Sequence, residues 1–305
     1  MKQIGRLLTA MITPFNSDSS VNYDQVKNLA VSLVNSGSDG LVVAGTTGEA
    51  PVLRHDEKLK LFETVKSVVG DRASIVAGTG NYGTQESIDL SIEAADLGVD
   101  AVMAVVPYYN KPPQEGLFQH FKAIAENSPV PVILYNVPSR TITNLSAETT
   151  LRLSKVKNIL GIKEASGDFD QIAQIIQGIK NESLRRDMGP FHVWSGNDSD
   201  TFGLLCLGGY GIVSVASHLV GKQIASMISM VVENKNLSEA SAEHHRLMPI
   251  FKGLFVMSNP IPVKYCVNLV GLKVGKPRLP LVEPDESTIA FLENLLTGYQ
   301  IDISS

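Results

Sequence analysis

The sequence predicts an α/β fold, a (β/α)8 TIM barrel followed by a small C-terminal helical domain. Short apolar segments rich in β-branched residues alternate with longer amphipathic segments along most of the chain. Strands that are apolar throughout, each followed by a helix, are typical of a parallel sheet buried on both faces. Because the alternation supplies eight such strands, a closed barrel fits the pattern better than an open sheet.

The predicted strands are short, and most end in a polar or glycine-rich turn. They cover Leu8–Thr13, Gly40–Val43, Ser74–Ala77, Ala101–Val105, Val132–Tyr135, Ile159–Lys163, His192–Ser195 and Gly211–Val215. The helical patterns between them cover Tyr23–Asn35, His55–Val69, Thr84–Leu97, Gln114–Asn127, Ala147–Ser154, Phe169–Ile179 and Thr201–Leu207. Polar and reactive residues therefore gather at the carboxyl ends of the strands, the face where barrel enzymes carry their active sites.

After Val220 the alternation stops and strand-like segments disappear. Three helical patterns follow, over Ile224–Glu233, Ser238–Leu254 and Ser287–Thr297. The stretch between the last two contains Pro260, Pro262, Pro277 and Pro280, which we expect to break it. We therefore predict a barrel domain over residues 1–223 and a helical domain over residues 224–305.

Composition excludes several classes of function. The chain has 305 residues, 44% of them hydrophobic, and a formal net charge of −5. No basic stripe is present for a phosphate backbone, and no apolar run approaches membrane-helix length, so neither nucleic acid nor a membrane is expected as a partner. Cys206 and Cys266 lie far apart in sequence, which fits a reducing compartment. The first residues lack the long apolar stretch of a signal peptide, and we expect a cytoplasmic protein.

The most informative residue is Lys163, in the segment Leu160–Asp168 where an apolar strand gives way to a polar turn. A primary amine at the end of a buried strand is costly to charge, which favours the neutral, nucleophilic form. This placement indicates Schiff-base chemistry on a carbonyl substrate. The alternative, open at this point, is a solvated lysine on the rim of the barrel.

A second strand end carries residues suited to a carboxylated substrate. In the segment Gly45–Glu49, glycines permit a tight turn, and the hydroxyls of Thr46 and Thr47 can hold a carboxylate. The alternative is a plain loop whose threonines cap the next helix.

A third strand end adds acid–base and cationic groups. In the segment Tyr135–Thr141, the Tyr135 phenol is suited to proton transfer and the Arg140 guanidinium to gripping a carboxylate. The alternative is a tyrosine that packs at the edge of the core and an arginine at the surface. Tyr108 and Tyr109 end a further strand and are either packing residues or a wall of the site.

Other motifs are absent or misplaced. The segment Gly78–Gly83 matches a dinucleotide-binding fingerprint, but two βα units precede it, and Asp100 stands before a strand instead of ending one. The six histidines and two cysteines lack metal-ligand spacing, and no nucleophile elbow or phosphate loop is found. We expect neither a cofactor nor a metal.

Taken together, the segments Gly45–Glu49, Tyr135–Pro138 and Gly161–Glu164 resemble the pyruvate-dependent class I aldolase superfamily of dihydrodipicolinate synthase and N-acetylneuraminate lyase. The resemblance runs from about Leu7 to the end of the chain and includes the segment Asn259–Lys264. Within the superfamily, Arg140-Thr141 and the segment Pro107–Pro112 are similar to the dihydrodipicolinate synthase family.

The resemblance implies roles for individual residues. Lys163 corresponds to the lysine that captures the keto carbon of pyruvate. Thr46 and Thr47 correspond to the pair beside the pyruvate carboxylate, with Thr47 also in a proton relay, and Tyr135 corresponds to the acid–base tyrosine of that relay. Tyr109 corresponds to the relay member that a neighbouring subunit inserts into the site.

Three further positions complete the implied site. Arg140 corresponds to the residue at the site entrance that orders the relay and receives the carboxylate of the aldehyde substrate. Gly196 and Val213 correspond to positions that line the pyruvate pocket. The implied assembly is a homotetramer built from two tight dimers.

The resemblance implies a lyase that condenses pyruvate with L-aspartate 4-semialdehyde to 4-hydroxy-tetrahydrodipicolinate, on the route to diaminopimelate and lysine, with no cofactor. One alternative is an aldolase or dehydratase acting on 2-keto-3-deoxy sugar acids, or a sialic-acid lyase of the same superfamily. Another, of a different class, is a catalytically silent pyruvate-binding protein.

The chain departs from the lysine-inhibited members of the family at a possible allosteric site. His55, Glu86 and Tyr108 keep the types that the family implies there. Ala50, Lys58 and Tyr82 replace the small hydroxyl residue, the histidine and the asparagine of the inhibited members.

We predict weak or absent feedback inhibition by lysine, because Lys58 would repel the ammonium group of the ligand and Tyr82 would crowd it. The measurement is the rate of condensation as a function of lysine concentration. Half-maximal inhibition below about 1 mM, the upper end of ordinary ligand constants, would contradict the prediction.

Overall fold

Eight parallel strands form a closed barrel in the computed structural model, which describes residues 3–181 and 189–303. Neighbours in the barrel are neighbours in sequence, and the first strand also pairs with the last. The strands are β1 Leu7–Ala10, β2 Gly40–Val43, β3 Ser74–Gly78, β4 Ala101–Val105, β5 Val132–Asn136, β6 Ile159–Glu164, β7 His192–Ser195 and β8 Gly211–Ser214. The predicted barrel is confirmed.

Helices follow the strands and cover the outside of the barrel. They are α1 Tyr23–Asn35, α2 His55–Val69, α3 Thr84–Asp96, α4 Gln114–Asn127, α5 Pro138–Thr141, α6 Ala147–Leu153, α7 Phe169–Asn181 and α8 Thr201–Cys206. Their apolar faces pack on the outward side chains of the strands and form the larger hydrophobic core. The short α5 was not predicted, because one turn is too short to show a helical period.

The largest error in a strand boundary concerns β1, predicted as Leu8–Thr13 and observed as Leu7–Ala10. The chain leaves the sheet after Ala10, and the Thr13 hydroxyl donates instead to the carbonyl of Gly48 at 2.7 Å. Apolar composition continues past the strand because the loop is itself buried.

Four helices follow the last strand: α9 Ser217–Val232, α10 Leu237–Gly253, α11 Ile261–Leu269 and α12 Glu286–Leu296. The predicted helix Ile224–Glu233 therefore begins earlier, at Ser217, and bends at Val220. The expectation that prolines break the whole stretch after Pro260 was wrong. Pro262 lies in the first turn of α11, where a missing N–H has no helical partner to lose.

Inward-facing side chains fill the barrel and separate it from the outer core. This inner cluster includes Leu8, Val42, Val76, Ile133, Tyr135, Trp194 and Val213. Tyr135, Lys163 and Trp194 are aligned across neighbouring strands β5, β6 and β7. Because side chains at one register position share a face of the sheet, Lys163 points into the barrel with Tyr135.

A substitution at Gly161 would test how closely β6 packs against β7. A Cβ atom at this position would stand 2.1 Å from the carbonyl oxygen of His192, which is rigid backbone. We expect Gly161→Ala to lower the free energy of unfolding by about 3 kcal/mol, because the strands must separate. Urea denaturation provides the measurement.

Gly298→Ala is the matched control, because the nearest heavy atom to its added Cβ is the Leu295 carbonyl oxygen at 3.6 Å. We expect that variant to unfold at the urea concentration of the wild type. Equal stability of the two alanine variants would contradict the account of β6 packing.

Candidate active site

A cavity of about 360 Å³ opens at the carboxyl ends of the strands. Three of the predicted catalytic and substrate-binding residues, Thr46, Tyr135 and Arg140, line it. They come from the loop after β2, from β5 and from α5, so the closed barrel brings together residues that lie far apart in sequence.

Lys163 lies near the end of β6 and is only 6% exposed. Its Nζ atom stands 4.1 Å from the centroid of the Tyr135 ring. The interpretation of Lys163 as a solvated rim residue is therefore wrong. A buried amine against a phenol ring is in position for covalent chemistry with a proton donor at hand.

A buried carboxylate that the sequence analysis missed lies close enough to Lys163 to interact with its charge. Asp198 accepts hydrogen bonds from the hydroxyl of Ser214 at 2.5 Å and from the backbone amides of Val215 and Ala216. Burial raises the pKa of Asp198, while these hydrogen bonds and the positive charge of Lys163 act in the opposite direction. No sequence motif marks Asp198, because its partners lie on the next strand and loop.

The residue after Lys163 fixes the end of the strand from outside the barrel. Glu164 is buried and accepts hydrogen bonds from Asn136, Gln171 and the backbone amide of Ser166. Burial raises the pKa of Glu164, and the hydrogen bonds partly offset this. The ends of β5 and β6 are thereby tied together, which holds Tyr135 beside Lys163.

The loop after β2 places Thr47 in the interior. Thr47 is 3% exposed, and its hydroxyl oxygen accepts a hydrogen bond at 2.8 Å from the side-chain amide of Asn259. The neighbouring Thr46 is partly exposed and lines the cavity. The reading of these threonines as helix caps is wrong, because Arg54 is the N-cap residue of α2.

Asn259 enters the site from the C-terminal segment, beyond the predicted barrel domain. Its Oδ1 atom is buried without a hydrogen-bond partner among the described residues. An unpaired buried carbonyl costs about 1–3 kcal/mol, so its retention needs a reason. The guanidinium of Arg140 reaches the backbone carbonyl of Asn259 at 3.5 Å.

Glu49, in the loop after β2, forms an ion pair with Lys264 of α11. Their Oε1 and Nζ atoms are 2.7 Å apart and both side chains are fully buried. Burial lowers the pKa of Lys264 to about 8, although the charge of Glu49 raises it. The second oxygen of Glu49 accepts from the backbone amide of Arg278, so two points of the C-terminal segment hold one side chain of the loop.

Tyr109 does not lie in the cavity of a single chain. It is 94% exposed and has a positive φ of 68°.

Gly196 donates its backbone amide to the carbonyl of Glu164 at 2.7 Å, and a Cβ atom at Gly196 would stand 2.5 Å from the Cβ atom of Ala165. Val213 belongs to the inner cluster of the barrel with Tyr135. The roles of Tyr109, Gly196 and Val213 stay predictions.

The possible allosteric residues divide into two groups. Tyr108 lines the cavity together with Ala50, Lys58 and Tyr82. Burial lowers the pKa of Lys58, and the charge of Glu86 partly offsets this. His55 is outside the cavity lining and contacts Glu93 at 2.6 Å instead.

The segment Gly78–Gly83, which the sequence analysis set aside as a misplaced dinucleotide fingerprint, leaves the third strand of the closed barrel. Gly80 is needed for a close approach of backbones, since a Cβ there would stand 2.5 Å from the Cα of Ala104. Within the described residues, no three histidine, cysteine, aspartate or glutamate side chains are grouped so as to hold a metal ion. In the same residues, no helix has the length and apolar character to span a membrane.

The fold and the site define a (β/α)8 barrel enzyme with a buried amine at the carboxyl ends of its strands. The chain belongs to the Dihydrodipicolinate synthetase family, which matches residues 3–298. It is 54% identical over 303 residues to a 4-hydroxy-tetrahydrodipicolinate synthase of Dehalococcoides mccartyi, covering 99% of each chain. It is 51% identical to that of Heliobacterium modesticaldum, covering 99% of this chain and 98% of the relative.

Solved structures of the same family have the same fold. The dihydrodipicolinate synthase DapA-2 of Bacillus anthracis has a TM-score of 0.92 and 42% identity, with 98% of this chain and 100% of that chain covered. The enzyme of Cyanidioschyzon merolae with lysine bound has a TM-score of 0.91 and 43% identity, with 97% and 98% covered.

The buried ion pair gives a stability prediction. We expect Glu49→Gln to lower the free energy of unfolding by about 3–5 kcal/mol, because it leaves the charge of Lys264 buried without a partner. The double variant Glu49→Gln with Lys264→Met removes that charge, and we expect it to recover a substantial part of the loss. Urea denaturation of both variants provides the measurement.

The control is Glu283→Gln, which breaks the exposed pair between Lys276 and Glu283. Exposed pairs contribute under about 1 kcal/mol, and we expect little change. A loss in Glu49→Gln no larger than in this control would show that the buried pair does not hold the loop.

Proposed function

We propose that the chain catalyses the condensation of pyruvate with L-aspartate 4-semialdehyde to 4-hydroxy-tetrahydrodipicolinate, the branch point toward diaminopimelate and lysine. The observation that carries the proposal is the buried amine of Lys163 against the ring of Tyr135. The names of the relatives support the choice of substrates.

The reaction begins when the neutral amine of Lys163 attacks the keto carbon of pyruvate. The resulting carbinolamine loses water, and a protonated imine forms. The imine withdraws electrons from the adjacent methyl group, so that one of its protons can leave and an enamine results. We assign proton transfer in these steps to Tyr135, and the position of Lys163 over the face of its ring supports this assignment.

The enamine carbon then attacks the aldehyde carbon of the second substrate, and the aldehyde oxygen takes up a proton. The amine of that substrate adds to the imine carbon, closes the ring and expels Lys163 as a free amine. Arg140, on the wall of the cavity, receives the carboxylate of the aldehyde substrate in this scheme. Thr46 and Thr47 hold the pyruvate carboxylate, with Gly196 and Val213 lining its pocket.

The proposal includes an assembly. Tyr109 is 94% exposed in the single chain, so it cannot act in the cavity of its own subunit as it stands. We place it in the site of a neighbouring subunit within a tight dimer, two of which form a homotetramer. We also place the enzyme in the cytoplasm, with its barrel domain over residues 1–223 and its helical domain over residues 224–305.

Lys163 can be tested by trapping the imine with borohydride in the presence of pyruvate. We expect one pyruvate adduct per chain by intact mass, located on Lys163 by peptide mapping. Lys163→Ala should lose both the adduct and turnover, since the amine that forms the imine is gone. The exposed control Lys27→Ala should keep both.

An adduct that survives in Lys163→Ala would refute the mechanism, and the absence of an adduct with wild-type protein would favour a silent pyruvate-binding protein. A coupled assay that offers L-aspartate 4-semialdehyde and 2-keto-3-deoxy sugar acids in parallel separates the proposed reaction from the sugar-acid alternative.

A further inference from the structure

Glu164 is a buried carboxylate without a cationic partner among the described residues. It is 2% exposed and accepts hydrogen bonds from the side-chain amides of Asn136 and Gln171 and from the backbone amide of Ser166, at 2.8–3.1 Å. Each of these donors is neutral. A charge taken out of water with no opposite charge beside it is costly, so a carboxylate at this position needs an explanation beyond packing.

The amides around Glu164 are oriented with their N–H groups toward the carboxylate. Asn136 accepts the backbone amide of Leu145 through Oδ1 at 2.9 Å, which leaves Nδ2 to face Glu164. Gln171 accepts the side-chain amide of Asn144 through Oε1 at 2.8 Å, which likewise turns Nε2 toward Glu164. A proton on Glu164 would therefore face N–H groups, whereas both oxygens of the ionised form accept from them.

We propose that Glu164 is a positioning residue whose ionised form fixes the distance between Tyr135 and Lys163 during turnover. The inference rests on the proposed function, in which Tyr135 carries protons for the imine on Lys163. Glu164 and Asn136 pair across β6 and β5, one position beyond the pair of Lys163 and Tyr135. Because successive side chains of a strand point to opposite faces, the outer pair holds the two strand ends while the inner pair faces the barrel.

The elements packed around Glu164 present neutral groups to it. They are Asn136 on β5, Gln171 on α7 and the register partner Ser195 on β7. Asp168, just before α7, is exposed and accepts the backbone amide of Gln171 at 3.0 Å. Burial raises the pKa of Glu164, and its hydrogen bonds partly offset this. The carboxylate is therefore lost as the pH falls through a pKa above that of an exposed glutamate.

The first experiment measures kcat and KM of Glu164→Gln in steady-state assays with both substrates. The glutamine sets an N–H group against those of Asn136 and Gln171, so we expect the end of β5 to shift. A displacement of about 1 Å can cost about 100-fold in rate, and we expect kcat to fall about tenfold or more, with little change in the KM for pyruvate. The matched control Glu148→Gln, at an exposed position of α6, should keep the wild-type values.

The pH dependence of this loss distinguishes charge from shape. A protonated Glu164 resembles the glutamine of the variant, since both are neutral and both carry a donor. The ratio of wild-type to Glu164→Gln kcat should therefore be largest at neutral pH and should narrow as the pH falls. A side chain that acted through its shape alone would give a ratio independent of pH.

A milder variant, Gln171→Met, removes one donor and leaves the carboxylate in place. Because donation from Gln171 lowers the pKa of Glu164, its loss should raise that pKa and move the acid limb of the kcat profile to higher pH. A merely structural role would lower kcat without moving the limb. In the matched control Gln119→Met, which removes an exposed amide that donates to Glu115, the limb should stay in place.

Exchanging the charge between β5 and β6 tests the contact with Asn136. Asn136→Asp alone sets two carboxylates against each other, and their repulsion should lower kcat further than Glu164→Gln does. The double variant Asn136→Asp with Glu164→Gln again pairs one carboxylate with one amide, and that carboxylate can still accept the backbone amide of Leu145. We expect its kcat to exceed that of both single variants.

Wild-type kcat in Glu164→Gln would overturn the inference, as would a ratio that does not vary with pH, an unmoved acid limb in Gln171→Met or a double variant no better than the single variants. If Glu164→Gln does not fold, the acid limb of Gln171→Met decides. The borohydride adduct on Lys163 is measured alongside. A wild-type protein that forms the adduct and turns over keeps the proposed function even when Glu164 fails these tests.

Discussion

The burial of one amine is the constraint on which the rest of the site depends. A lysine inside a barrel is costly to charge and costly to leave without polar neighbours. Lys163 meets this cost with the face of the Tyr135 ring at 4.1 Å and with the field of Asp198, a carboxylate held by three donors from β8 and the turn after it. In the proposed scheme, the same surroundings that accommodate Lys163 in the interior also supply the proton-transferring group, Tyr135.

The segment around α11 contributes to the candidate active site because Asn259, Lys264 and Arg278 contact the loop after β2. Removing one partner of a buried ion pair leaves an uncompensated charge, which makes the pair of Glu49 and Lys264 a strong constraint on the geometry of the loop. The hydrogen bond from Asn259 to Thr47 is a second constraint on the same loop. A barrel without α11 would therefore retain Lys163 and Tyr135 but would not hold Thr47 in place.

Features marked by neighbouring residues could be predicted from the sequence. Features that depend on contacts between residues distant in sequence could not. The strand periodicity predicted all eight strands, and Lys163 and Thr47 stood out because each ends or follows an apolar strand. Asn259, Asp198 and the pair of Glu49 with Lys264 could not be predicted from composition or spacing, because their partners are distant in sequence and no local pattern records the contact. The helix α11 was missed for a different reason: a proline is a helix breaker only beyond the first turn.

The cavity brings the possible allosteric residues next to residues of the proposed active site. Tyr108, Tyr82 and Lys58 line the same space as Thr46, Tyr135 and Arg140, and the rings of Tyr82 and Tyr108 are in edge-to-face contact at 5.3 Å. Tyr109 follows Tyr108 directly in the chain, so the residue proposed to enter a neighbouring site is adjacent to a residue that lines this cavity. Lys58 and Tyr82, on which the prediction of weak or absent lysine feedback rests, are both part of this lining, and neither contacts pyruvate in the proposed scheme.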